Sequence, residues 1–114
     1  TTTKLKRMCR VLYWKNHNQH YSNMQELIKR NYASIVKRGY ITPETTDLQF
    51  IRKIEEEVEE AIYESLLKRK GKENNLGEEL ADVILTCLNY AHHFSIDIEK
   101  ELLKKIDKNE TRKD

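Results

Sequence analysis

Residues 47–69 read DLQFIRKIEEEVEEAIYESLLKR, and residues 77–94 read GEELADVILTCLNYAHHF. In the first stretch Leu48, Ile51, Ile54, Val58, Ala61 and Ile62 recur at helical spacing. Thr46-Asp47-Leu48-Gln49 is a capping box, so a helix is expected to start at Asp47. Lys68-Arg69-Lys70 suits the negative end of its dipole, and Gly71 stops it. The second stretch carries Leu80, Val83, Ile84, Cys87 and Ala91 on one side. Ala81, Leu85 and Leu88 carry the apolar surface further round, and a helix this apolar must be mostly buried. Two consecutive helices of this kind, with no alternating strand pattern, set the fold class as all-α, a helical bundle.

Working outward, the spacing predicts about five helices. One runs from about Lys4 to His17 on Leu5, Met8, Val11 and Leu12, and a polar break follows at residues 16–20. Ser22-Asn23-Met24-Gln25 reads as a capping box for a helix carrying Met24, Leu27, Ile28, Tyr32, Ile35 and Val36, closed by Gly39 in a left-handed cap. Residues 40–43 connect it to the helix at Asp47. Residues 72–77 form a polar loop before a helix over about Glu78 to Phe94. The last helix is capped by Asp97 and runs to about Lys108 or beyond on Ile98, Leu102, Leu103 and Ile106.

At 114 residues the chain is expected to be one small domain, with a basic helical part over 1–46 and an acidic core over 47–112. Three glycines and one proline are too few for the turns of a sandwich or barrel. With 35% charged residues the chain is short of apolar surface. A second copy would supply both core and cleft. No run approaches the ~18 apolar residues of a membrane span, and the N-terminal residues show no secretory h-region. Cys9 and Cys87 lack paired spacing, which excludes a disulfide framework or zinc site and fits a reducing, cytoplasmic setting. The net charge of +2 is unevenly spread: residues 1–40 hold nine Lys/Arg against Glu26, whereas residues 41–114 hold eighteen acids against twelve bases.

A glutamate run such as residues 55–60 is ordinarily a solvated face, and helical phase changes that reading. At about 100° per residue with Glu57 at zero, the apolar residues centre near ~80°. Glu57, Glu60 and Glu64 then form a stripe on the border of that face, and Glu55 and Glu59 point to the opposite side. On the next helix the narrow polar seam is Glu79, Asp82, Thr86, Asn89 and His93. Converging, partly buried carboxylates need a cation, and Lys53 alone cannot balance four. Oxygen ligands without nitrogen select Mg²⁺, with Mn²⁺ the alternative, over zinc. A di-iron bundle would need Glu-x-x-His on two helices. Tyr63 follows Glu60 and Asp82 follows Glu79, so that reading is set aside. His17, His20, His92 and His93 read as exposed or capping residues.

The order Glu56-Glu57-x-x-Glu60, a spacer, then Glu79-x-x-Asp82 resembles the MazG-like nucleotide pyrophosphohydrolases, an all-α superfamily with the signature EExxE…ExxD. Gly77-Glu-Glu-Leu-Ala-Asp-Val-Ile-Leu is similar to the family's ELxDVL helix, and Phe94-Ser-Ile-Asp-Ile-Glu to its short connector. Lys105, Asn109 and Arg112 match its K-x-x-x-N-x-x-R ending. The resemblance covers about residues 50–112, and residues 1–46 do not align. It departs at Glu59, where the family commonly has glycine.

The resemblance implies Mg²⁺-dependent cleavage of a nucleoside triphosphate between its α- and β-phosphates, giving the monophosphate and pyrophosphate. It implies Glu57, Glu60, Glu79 and Asp82 as metal ligands, with Glu56 or Glu57 orienting the attacking water. Lys53, Lys105, Asn109 and Arg112 would bind phosphate, in a homodimer or homotetramer. Two other readings rank behind it. One is an inactive or regulatory protein of the same fold. The other is a nucleic-acid-binding module using Lys4, Lys6, Arg7 and Arg10 with Tyr13 and Trp14, for which there is no recognisable motif.

Overall fold

The Thr46 hydroxyl accepts from the Gln49 backbone N–H at 3.3 Å, and the Gln49 side chain accepts from the Thr46 N–H at 2.8 Å. This reciprocal cap starts the longest helix where the sequence places it. In a computed structural model that describes residues 24–113, four helices follow one another: α1 (Met24–Lys37), α2 (Asp47–Arg69), α3 (Leu76–His93) and α4 (Ile98–Thr111). No strand occurs among the described residues. The expected helix at Lys4–His17, the Ser22 cap, the basic cluster before Trp14, His17, His20 and Cys9 lie outside them.

Helix ends follow the punctuation. Gly39 (φ 81°) and Gly71 (φ 72°) adopt the left-handed conformation after α1 and α2. The N–H of the next residue bonds back to Ile35 and Leu67 respectively, closing the turn. Ser95 does the same after α3 at φ 57°, where a side chain costs about 1 kcal/mol relative to glycine. Asp97 caps α4 by accepting from the Lys100 N–H at 3.2 Å. One boundary differs from expectation. Helix α3 begins at Leu76, so Gly77 lies in its first turn instead of ending the loop. The Glu64 carboxylate, placed by phase on the acidic stripe, accepts from the Asn75 N–H at 2.6 Å and holds that turn.

Helices α2 and α3 form an antiparallel hairpin, as the pairs Glu64–Asn75 and Asp47–Tyr90 show. Helix α1 lies against α3, tied by Asn31–Asn89 and Tyr32–His93. Phe50 of α2 stacks on Tyr90 of α3 with ring centroids 5.2 Å apart and planes 2° from parallel, and Phe94 closes on both edge-on. The buried apolar residues are few: Ile28, Ile41, Phe50, Ala61, Leu88 and Ala91.

The apolar face of α2 is consequently divided. Phe50 and Ala61 face α3, whereas Ile51, Val58 and Ile62 remain exposed, Ile62 at 54%. Glu57 lies within the buried half, not on its border. The face that packs in one chain is thus rotated toward Glu57 from the centre that periodicity gives. Ile84 on α3 (59%) and Leu102, Leu103 and Ile106 on α4 are also exposed, and α4 buries no residue at all. No described helix is long and apolar enough to cross a membrane.

Candidate active site

Because α2 and α3 run antiparallel, the middle of α2 meets the first turns of α3. Glu57, Glu79 and Asp82 each present a carboxylate oxygen, all within 4.8 Å of one another. Glu57 is 7% exposed. One of its oxygens pairs with the Lys53 ammonium at 3.1 Å, and Lys53 also pairs with Glu56 at 3.3 Å. Burial pulls the Lys53 ammonium down. Its hydrogen bonds to Glu57 and then Glu56 outweigh that and hold it above its ordinary value.

The second oxygen of Glu57 and one oxygen of Glu79 are buried without any hydrogen-bond partner. Orphaned buried carboxylate oxygens are costly, and a cation between them removes the cost. The donor set is carboxylate only, with neither imidazole nor thiolate, which fits a hard divalent ion. Glu60 joins from the next turn of α2 and shares a hydrogen bond with Glu79 when one of them is protonated.

Glu79 records the crowding. Burial raises its carboxyl above the usual range, and Glu60, Asp82 and Glu57 raise it further. Glu79 therefore keeps its proton to higher pH in the folded chain than in the unfolded one. Across the window from the ordinary value of 4.5 up to the raised one, the folded state binds more protons, so stability falls as pH rises. Melting of the metal-free protein is expected to show this downward slope above pH 4.5, and Glu79→Gln is expected to flatten it. An unchanged slope in the variant would locate the repulsion elsewhere.

Two hollows flank the carboxylates. The larger, of about 720 Å³, is lined by Lys53, Glu56, Glu57 and Asp82 on one side and by Asn31, Arg38 and Asn89 on another. The smaller, about 370 Å³, takes in Glu60, Glu79 and Tyr63. Lys105, Asn109 and Arg112 line neither. They lie toward the far end of the sequence of α4, Arg112 as its C-cap.

The polar residues of the large cavity were only partly legible. Thr86 and Asn89 belong to the polar seam of α3, but periodicity gives them no chemistry. Asn31 and Arg38 come from a segment whose packing the seam does not reveal. His92 and His93 are not the exposed or capping residues that sequence suggests: both are half-buried. The Tyr32 hydroxyl donates to His93 Nδ1 at 2.9 Å, and His93 Nε2 donates to the Thr45 carbonyl at 3.1 Å. A carbonyl only accepts, which assigns the proton to Nε2. The His92 ring meets Tyr32 edge-on at 4.5 Å. Cys87 is a free, exposed thiol.

The described residues thus form an all-helical fold with a cleft lined by carboxylates that could hold a divalent cation. The MazG nucleotide pyrophosphohydrolase domain matches residues 45–114, more than half of the chain, and the chain belongs to that family. No curated protein and no solved structure matches it. Nucleotide pyrophosphohydrolases of this family generally use divalent metals, in keeping with the acidic cluster.

Proposed function

We propose that the protein is a Mg²⁺-dependent nucleoside triphosphate pyrophosphohydrolase that releases pyrophosphate and the nucleoside monophosphate, and that Mn²⁺ can replace Mg²⁺. The observation that carries the reading is the convergence of Glu57, Glu79 and Asp82, with two buried carboxylate oxygens left unpartnered beside Lys53. Glu57, Glu60, Glu79 and Asp82 would hold the ion, which when bound offsets the charge that develops on the departing pyrophosphate.

Within the chain the roles divide by exposure. Lys53 sits at the cavity wall between Glu56 and Glu57, so its ammonium can follow a phosphate oxygen without leaving its carboxylate partners. Glu56 is well exposed and lines the same cavity, so its carboxylate can orient an entering water and accept its proton. Glu57 is the alternative base, but it is buried and belongs to the carboxylate group that would hold the ion.

Lys105, Asn109 and Arg112 fall on one face of α4 and would bind phosphate only where a second copy carries that helix to the cleft. A homodimer or homotetramer is therefore part of the reading, as is the division into a basic part over residues 1–46 and an acidic core over 47–112. The test is a panel of ribo- and deoxyribonucleoside triphosphates with Mg²⁺, scored for both products. Monophosphate and pyrophosphate in equal amounts, abolished by chelator, are expected. Orthophosphate as the only inorganic product would overturn the assignment.

A further inference from the structure

Resting on the pyrophosphohydrolase reading, we propose that the side-chain amides of Asn31 and Asn89 form the nucleobase-reading end of the large cavity. The polar seam of α3 changes character along its length. Asp82 is a carboxylate of the acidic cluster, Thr86 a hydroxyl whose proton goes to the Asp82 carbonyl at 2.8 Å, and Asn89 a neutral amide, all three lining the same cavity. Asp82 and Asn89 are two turns apart, roughly 10 Å along the helix. That is comparable to the reach of a nucleotide from its phosphates to the far edge of its base. A ligand whose phosphates meet the acidic end, through a cation and Lys53, thus has its neutral end at Asn89.

The amide pair has the chemistry of a base reader. Asn89 is 6% exposed, in a domain that is short of core. An apolar residue at that position would add packing, whereas a buried amide is costly unless bonded. Asn31 Nδ2 donates to Asn89 Oδ1 at 3.0 Å. This bond fixes both amides: Asn89 keeps its Nδ2 as a donor, and Asn31 keeps its Oδ1 as an acceptor. A donor next to an acceptor complements the hydrogen-bonding edge of a nucleobase. It does not complement a phosphate, which only accepts. The cavity rim adds an aromatic surface. Tyr40 is 74% exposed with the Arg38 guanidinium 5.7 Å from its ring centroid, and both residues line the cavity. A heterocycle can stack there.

The test is equilibrium binding with Mg²⁺ of the α,β-methylene analogues of a purine and a pyrimidine nucleoside triphosphate, beside ribose 5-triphosphate, which has sugar and phosphates but no base. The native protein is expected to bind at least one analogue tenfold or more tightly than the base-free ligand. Asn89→Ala is expected to reduce that ratio below threefold. Asn31→Ala, at a half-buried position, is expected to do the same by releasing the Asn89 amide, and it decides the matter if Asn89→Ala does not fold by thermal melting. A ratio unchanged in a folded variant, or a parallel loss of all three ligands, overturns the base-reading role and leaves the pyrophosphohydrolase reading standing. So does a native protein that hydrolyses nucleotides yet binds ribose 5-triphosphate equally well. A native protein that binds none of the three overturns both.

Discussion

Asp82→Asn is expected to lower turnover by about two orders of magnitude or more while the chain still folds. The substitution keeps the shape of the side chain and removes the charge from one of three carboxylates that lie within 4.8 Å of one another. Without metal, repulsion within the group falls, so the melting temperature stays level or rises. With Mg²⁺, the stabilisation seen for the native protein shrinks, because a ligand stabilises only the state that binds it. Glu59→Gln is the control. Glu59 belongs to the same glutamate run and is exposed, outside the converging group. It borders the smaller hollow, yet its oxygens are not among those that meet. Melting both variants with and without Mg²⁺, alongside their turnover, separates the two positions. Equal behaviour would show that helical phase had selected nothing.

Ile84→Glu is expected to convert an oligomer into a monomer. Ile84 is 59% exposed on α3, and Ile51, Val58 and Ile62 of α2 and Leu102, Leu103 and Ile106 of α4 are exposed with it. A surface with this many large apolar side chains is of the kind that subunit contacts cover. Ile84 is exposed in the single chain, so a glutamate there costs its fold little. Buried between copies, that charge weakens association by on the order of 2–4 kcal/mol, roughly a hundredfold in dissociation constant. Light scattering at micromolar concentration should give at least a dimer for the native protein and the monomer mass for the variant. A monomeric native protein would refute the assembly.

Much of this was legible in the sequence where one physical rule acts alone. The capping box at Thr46, the left-handed glycines at 39 and 71 and the Asp97 cap each depend on a few neighbouring residues, and each appears where its residues predict. The meeting of Glu57, Glu79 and Asp82 could be anticipated because all three lie beside the apolar side of their helices, even though the face that packs is rotated toward Glu57 from the centre that periodicity gives. What failed to show was whatever depends on which part of a stripe finds a partner. Periodicity treats Phe50 and Ile62 as equivalent. The hairpin buries the first and leaves the second exposed, and so places Glu57 inside instead of at an edge. His93 was misread for the same reason. Its partners Tyr32 and Thr45 are about fifty to sixty residues away along the chain, and no local pattern announces them. Asn31 bonds Asn89 across a comparable separation.

Helix α4 has 14 residues and buries none of them. Isolated helices of that length are marginal in water, since the cost of nucleation is recovered only over ~12–15 residues. The Asp97 cap and the Gln25–Glu99 bond tie down its first turn, and in its last turn the Thr111 hydroxyl bonds only within the helix, to the Asp107 and Lys108 carbonyls. In the proposed assembly its helicity, and with it the alignment of Lys105, Asn109 and Arg112, would be tied to subunit concentration: dilution would loosen the alignment before the hairpin unfolds. An enzyme built this way would have a specific activity that falls on dilution, with its phosphate grip assembled only when subunits meet.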